Sequence, residues 1–163
     1  MSSKTNFPKV GNLAPQFSLQ DQNDETVSLK DFKGKSPVLV YFYPKAMTPG
    51  CTVQACSIRD SFAAFKKAKV AVVGVSIDTP DRLKKFEEKE DLNFTLLSDA
   101  DHAVSEKYGV WQKKKNYGKE YLGIVRTSFL VGKDGKLLHV FENVKTKTHH
   151  QDVLDYVRES KDA

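Results

Sequence analysis

The sequence predicts an α/β fold, with helices on both faces of a mixed central sheet. Three observations carry that expectation. Two runs, VLVYFY at 38–43 and VAVVGVSI at 70–77, are apolar without interruption and rich in β-branched and aromatic residues, the pattern of strands covered on both faces. A helical stretch separates them, so strand, helix and strand form a right-handed crossover unit. Towards the C-terminus, IVRTSFLV and KLLHVF flank Lys133-Asp134-Gly135, an antiparallel hairpin turn.

The remaining elements follow in order. FSLQ and TVSL flank the polar turn DQNDE and read as a small N-terminal hairpin. Pro37 introduces the first buried strand, and a helix is expected from about Thr48 to Lys67. After the second buried strand, Thr79 and Pro80 supply the N-cap and first position of a helix through Phe86 and Lys89. FTLLSD, 94–99, is a short strand before a helix around Ala103 to Tyr108. The polar stretch from Lys113 to Glu120 reads as a loop, and the two hairpin strands come next. The last helix starts at Thr148, where Gln151 three residues on fits a capping box. The whole chain, 1–163, is expected to form one domain, with no repeat, low-complexity segment or linker. Thioredoxin-like folds have this arrangement.

Composition bounds the function. A chain of 163 residues is long enough to bury a core without staples. The net charge of +5 comes from lysines spread among acids, as in KKFEEKED, and the run Lys113, Lys114, Lys115 lies in a polar stretch. Charge of this kind does not make a nucleic-acid surface, and no nucleic-acid partner is expected. The start, MSSKTNFPKVGN, has no apolar run of signal-peptide length, and no later segment is long and apolar enough to span a membrane. Two cysteines without a disulfide framework suit a reducing compartment, so a cytoplasmic location is expected. His102 and His139 read as structural histidines, and His149 and His150 as first-turn surface residues. Trp111, Tyr41, Phe42 and Tyr43 read as core.

Both cysteines, Cys51 and Cys56, fall in YFYPKAMTPGCTVQACSIRD. Four intervening residues are too many for a Cys-x-x-Cys redox motif or a zinc knuckle. Cys51 lies just past the carboxyl end of the VLVYFY strand, where the sites of open α/β sheets sit. Thr48 takes the N-cap, Pro49 the first helical position and Cys51 the third, while Gly50 keeps bulk away from the helix mouth. The partial positive charge there favours a thiolate, the nucleophilic form, which marks Cys51 as reactive. Cys51, Ala55, Ile58, Phe62 and Phe65 make one apolar stripe facing the sheet. Cys56 is off that stripe, about 140° around and about 7.5 Å along the axis. The resulting Cα separation of roughly 8.5 Å exceeds the roughly 7 Å reach of a disulfide. The pair can bond only if the helix partly unwinds.

Pro44, Thr48 and Cys51 form P-x-x-x-T-x-x-C within YFYPKAMTPGCT. With Cys56, GVSID, FTLLSD and GIVRTSFLV, the chain resembles the peroxiredoxins, in particular the bacterioferritin-comigratory or peroxiredoxin Q subfamily. The resemblance runs from GNLAPQFSL through the final helix. It implies a thiol peroxidase for hydrogen peroxide and organic hydroperoxides, with no metal and no organic cofactor. It makes Cys51 the peroxidatic thiolate, oxidised to a sulfenic acid. By the same resemblance Thr48 holds the thiolate and the peroxide, and Pro44 shields them from solvent. Arg126 favours the thiolate and orients the peroxide, and the backbone N–H groups of Gly50 and Cys51 complete the site. Cys56 resolves the sulfenic acid as an intramolecular disulfide with Cys51, which thioredoxin or glutaredoxin reduces. A disulfide within one chain suits a monomer. Some relatives carry Glu where this chain has Gln54.

Three rival readings differ in chemistry. A metal-binding module would use Cys51, Cys56 and His149 or His150, but adjacent histidines at a helix start point about 100° apart. A thioredoxin-like disulfide reductase lacks its Cys-x-x-Cys here. A nucleic-acid module rests on net charge alone.

Overall fold

The computed structural model describes residues 7–160. Residues 1–6, the start of the stretch read above as lacking a signal peptide, lie outside the described residues, as do 161–163. The strands are β1 (Ser18–Asp21), β2 (Thr26–Ser28), β3 (Val38–Phe42), β4 (Ala71–Ser76), β5 (Thr95–Ser98), β6 (Trp111–Asn116), β7 (Lys119–Ile124), β8 (Thr127–Val131) and β9 (Leu137–Phe141). The helices are α1 (Pro49–Asp60), α2 (Phe62–Lys67), α3 (Pro80–Glu90), α4 (Ala103–Lys107) and α5 (His149–Ser160), with a 3-10 turn at Leu29–Phe32.

Seven strands form the main sheet in the order β2-β1-β5-β4-β3-β8-β9. Its centre is parallel, β5 to β4 to β3. The β8–β9 hairpin adds antiparallel on one side and the β1–β2 hairpin antiparallel on the other. The mixed sheet expected from the sequence is therefore present.

Strand β3 shows why its sequence is apolar throughout. Leu39, Tyr41 and Tyr43 alternate into a core shared with α1, α2, α3 and α5. Val38, Val40 and Phe42 point the other way, into a core closed by α4, the 3-10 turn and the segment around Ala14 and Phe17. Both faces are covered, so both positions of the alternation carry aliphatic or aromatic side chains. Gly74 on β4 permits this packing. A Cβ there would lie 2.9 Å from the Tyr41 ring, and that ring is fully buried. Gly74→Ala is expected to cost about 1–3 kcal/mol through overpacking, read as a lower urea midpoint.

The structure departs from the sequence reading in four places. The helix expected from Thr48 to Lys67 is interrupted at Ser61 (φ −98°, ψ 11°), whose N–H reaches both Ser57 and Ile58 carbonyls. Ser61 ends one helix and takes the N-cap position of the next, without a side-chain capping bond. Phe62, expected on the buried stripe, is 39% exposed as a result, while Phe65 stays buried.

The expected loop from Lys113 to Glu120 is instead the β6–β7 hairpin, in register from Trp111 with Ile124 to Asn116 with Lys119. Tyr117 and Gly118 at its turn both have positive φ, 53° and 78°, as a twisted two-residue turn requires. The run IVRTSFLV is broken as well: Ile124 ends β7, Thr127 begins β8, and Val125 and Arg126 lie between. Finally, Thr148 donates its hydroxyl to Asp152 and Gln151 reaches Asp155, so the expected capping box is replaced by two i,i+4 pairs. Thr79 does cap α3, accepting from the Arg82 N–H.

Candidate active site

The site begins where β3 ends. Tyr43 still bonds the Val75 carbonyl, after which the chain leaves the sheet. Asp78, buried beyond the end of β4, holds that exit. Its carboxylate accepts from the Ala46 N–H at 2.7 Å, from the Ser76 hydroxyl at 2.7 Å and from Arg82 Nε at 3.2 Å. Met47, at φ 66°, turns the chain into α1. Thr48 is the N-cap by backbone geometry, with Pro49 next, as the sequence predicts. Its hydroxyl, however, donates to the Lys45 carbonyl at 2.8 Å instead of capping the helix. Pro44 is half-buried in the same loop.

Cys51 lies in the first turn of α1 and is 2% exposed. Arg126, from the β7–β8 junction, points its Nη1 at Cys51 Sγ from 3.4 Å. Gly50 makes room for it, since a Cβ there would stand 3.3 Å from Arg126 Nη2. The residues singled out in the sequence, Pro44, Thr48, Gly50, Cys51 and Arg126, are therefore gathered at one end of the sheet. Cys56 is not among them. It is a free, half-buried thiol on another face of α1, donating to Glu90 Oε1 at 3.5 Å. Burial pushes its thiol up; the Arg59 cation opposes this, and the Glu90 carboxylate adds to the rise.

Two residues join the site that sequence reasoning placed elsewhere or passed over. Arg126 Nη1 also donates to Gln54 Oε1 at 2.7 Å. The Gln54 amide nitrogen lies 3.1 Å from His149 Nδ1, and His149 Nε2 lies 2.7 Å from Ser128 Oγ. His149 was expected on the surface; it is 1% exposed, wedged beside Tyr41 with ring centroids 5.6 Å apart. Spacing carried the signal in both cases. Gln54 is three residues after Cys51, hence on its face, and His149 precedes Val153 and Val157 at helical steps of four. His150 beside it is only partly buried.

Burial, with help from the His150 and Arg126 charges, lowers the His149 pKa to about 3. An unfolded histidine takes a proton below about 6.5, so between these limits the unfolded chain holds the extra proton. Stability from this group is complete above about pH 6.5. It falls with decreasing pH by about 1.4 kcal/mol per pH unit until about pH 3. Urea unfolding of the wild type and His149→Phe at pH 7, 5 and 4 is expected to show the steeper loss in the wild type.

Arg126 also borders an open cleft of about 570 Å³, together with Lys114, Val125, Glu142 and Val144. The Lys114 amine donates to the Ile124 carbonyl at 2.9 Å, and burial lowers its pKa, with the Arg126 charge adding to the effect. Of the two histidines offered to the metal-module rival, His149 has both nitrogens engaged, by Gln54 and Ser128. Among the described residues no group of three or more His, Cys, Asp or Glu side chains could hold a metal ion, and no helix is long and apolar enough to cross a membrane.

A buried thiol at a helix mouth, faced by an arginine from the start of the strand next to β3, is an arrangement suited to thiol chemistry on a thioredoxin-like fold. The AhpC/TSA family profile matches residues 10–140, and the chain belongs to that family. Among curated relatives, Peroxiredoxin Bcp of Escherichia coli (strain K12) is 58% identical over 93% of this chain and 96% of its own length. Peroxiredoxin Bcp of Bacillus subtilis (strain 168) is 45% identical over 93% and 96%. Among solved structures, the bacterioferritin comigratory protein of Xanthomonas campestris, studied for alkyl peroxide reduction, superposes with a TM-score of 0.85 at 29% identity over 93% and 99% of the two chains. Peroxidoxin BcpB of Mycobacterium tuberculosis gives 0.82 at 34% identity over 93% and 97%. The chain is thus a peroxiredoxin, a thiol peroxidase of the Bcp and peroxiredoxin Q type.

Proposed function

We infer that this peroxiredoxin reduces hydrogen peroxide and alkyl hydroperoxides at Cys51, resolves the product with Cys56, and is recycled by thioredoxin or glutaredoxin as a cytoplasmic monomer. The observation that carries the reading is the 3.4 Å approach of Arg126 Nη1 to the buried Cys51 Sγ at the mouth of α1. The Cys51 thiolate attacks the terminal oxygen of the hydroperoxide. The O–O bond breaks, Cys51 becomes a sulfenic acid, and the alkoxide takes a proton from solvent to leave as the alcohol. The Arg126 guanidinium and the N–H groups of the first helical turn stabilise the charge that develops on the oxygens. Because the Thr48 hydroxyl hydrogen is committed to Lys45, Oγ1 presents lone pairs and accepts from the peroxide O–H. Pro44 limits solvent at the sulfur. The cleft beside Arg126 offers room for the alkyl group.

Resolution follows. The Cys56 thiolate attacks the sulfenic sulfur, and hydroxide leaves and is protonated to water, giving the Cys51–Cys56 disulfide. Cys56 sits against Glu90, on another face of α1, so this step requires the first turns of α1 to unwind. Unwinding brings the disulfide to the surface, where an external dithiol reduces it. The two free cysteines, with no disulfide elsewhere among the described residues, support a reducing compartment.

The test is stopped-flow oxidation of fully reduced protein by one equivalent of hydrogen peroxide, followed by thiol counting and intact mass. The wild type is expected to lose both thiols and Cys56→Ser to stop at a sulfenic acid on Cys51. Slow, free-thiol reaction in both would overturn the assignment. Rapid oxidation that leaves the Cys56 thiol intact in the wild type would remove its resolving role alone.

A further inference from the structure

An arginine aids peroxide cleavage only when its donor fork is held in one orientation, because its N–H bonds point along fixed directions. What holds Arg126 can be followed bond by bond. A guanidinium only donates, so Gln54 presents Oε1 to Nη1. That turns the Gln54 NH2 towards His149, whose Nδ1 must accept. The ring proton then sits on Nε2 and is donated to Ser128 Oγ. Every link has a single allowed sense, and Gln54, His149 and Ser128 are all buried. The chain of bonds joins α1, β8 and α5 to a residue of the β7–β8 junction.

We propose that His149 is a positioning residue for peroxide reduction: from α5 it locks the Gln54 amide, and through that amide the Arg126 guanidinium, against Cys51. Were the amide to flip, its NH2 would face the guanidinium donors; the guanidinium sets the sense of the amide, and the bond from its NH2 to Nδ1 holds it in that place. Burial keeps the ring neutral above about pH 3, so the Nδ1 lone pair persists at neutral pH. This rests on Cys51 being the peroxide-reactive thiol. It separates two services of Arg126. Its positive charge acts on the sulfur without regard to angle, whereas its hydrogen bonds to the peroxide oxygens depend on orientation. Loss of His149 removes the second and spares the first.

The experiment compares two rates at one pH in Cys56→Ser protein: oxidation of Cys51 by hydrogen peroxide and its alkylation by iodoacetamide. Adding His149→Phe, which keeps an aromatic ring of slightly larger size and removes both nitrogens, is expected to slow oxidation about tenfold or more. Alkylation is expected to stay within about twofold, since the charge remains in place. His149→Asn, whose Oδ1 can accept from Gln54, is expected to recover most of the oxidation rate. Equal oxidation in His149→Phe and its parent, equal slowing of both reactions, or no recovery in His149→Asn would each overturn the proposal. If His149→Phe does not fold, Ser128→Ala, which releases the Nε2 end, is expected to lower the same rate ratio, and an unchanged ratio overturns it. A parent that is itself slow with peroxide sinks the Cys51 reading and this proposal together. A fast parent with an indifferent His149→Phe sinks only the latter.

Discussion

Cys51→Ser is expected to be inert towards hydrogen peroxide on the timescale in which the wild type is exhausted. A serine hydroxyl at the same helix mouth does not ionise near neutral pH, and an oxygen nucleophile is poorly matched to the peroxide bond. The remaining thiol does not take over. Cys56 is partly buried, its thiol donates to the Glu90 carboxylate, and both features keep it protonated. It also lacks the guanidinium that stands 3.4 Å from Cys51. The expected result is therefore loss of all fast peroxide consumption, with both the thiol count and the mass of Cys51→Ser unchanged after one equivalent. Fast oxidation of Cys56 in this variant would show that the helix mouth is not the source of reactivity.

Arg126→Met is expected to lower the rate of the first oxidation by about 10²–10³-fold, the usual consequence of removing one preorganised donor from developing oxygen charge. Methionine keeps much of the side-chain length while removing every N–H. The loss has two further parts in this fold. Gln54 Oε1 is left buried without its donor, and the restraint on the Gln54 amide then comes only from His149. Arg126→Lys is expected to recover only part of the rate, because a single ammonium cannot serve Cys51 and Gln54 with the geometry of one planar fork. Single-turnover oxidation of the two variants, read by intact mass, checks both statements.

Much of the frame was legible because burial on two faces leaves little choice of residue: β3 and β4 carry unbroken apolar runs, and each lies between two cores. Cys51 was legible for a related reason, since Thr48, Pro49 and Gly50 mark a helix mouth at a strand end. The β6–β7 hairpin was not, because a ladder containing Gln112 and three consecutive lysines shows no apolar alternation, and its turn uses Tyr117 in the left-handed region. Arg126 carried no local signal either; it lies between two strands, and only the resemblance to peroxiredoxins brought it to Cys51. Gln54 was noted only as a departure from relatives that carry Glu, and His149 was placed on the surface by residue type. Glutamine and histidine default to the surface, and only their phase relative to Cys51 and to Val153 marks them as inward. A polar residue in register with an apolar stripe is where local propensity gives way to the needs of a site.

The interruption at Ser61 bears on how α1 would rewind after each turnover of the proposed cycle. Starting a helix from coil is slow and unfavourable, whereas extending an existing turn is fast and adds one bond per residue fixed. Were α1 and α2 one continuous rod, melting that began at Cys51 could propagate towards Lys67 and draw Phe65 out of the core. With a separate α2 anchored by buried Phe65, the six residues of that short helix remain in place as a template. The 12-residue segment ahead of them is tethered at both ends, by the β3 exit on one side and by α2 on the other. Once an external dithiol has cleaved the bridge in the proposed cycle, the first turns of α1 would re-form by elongation from its own remaining turns, within a short closed loop. In the proposed cycle the disturbance is confined to one cooperative unit, and the sheet stays untouched.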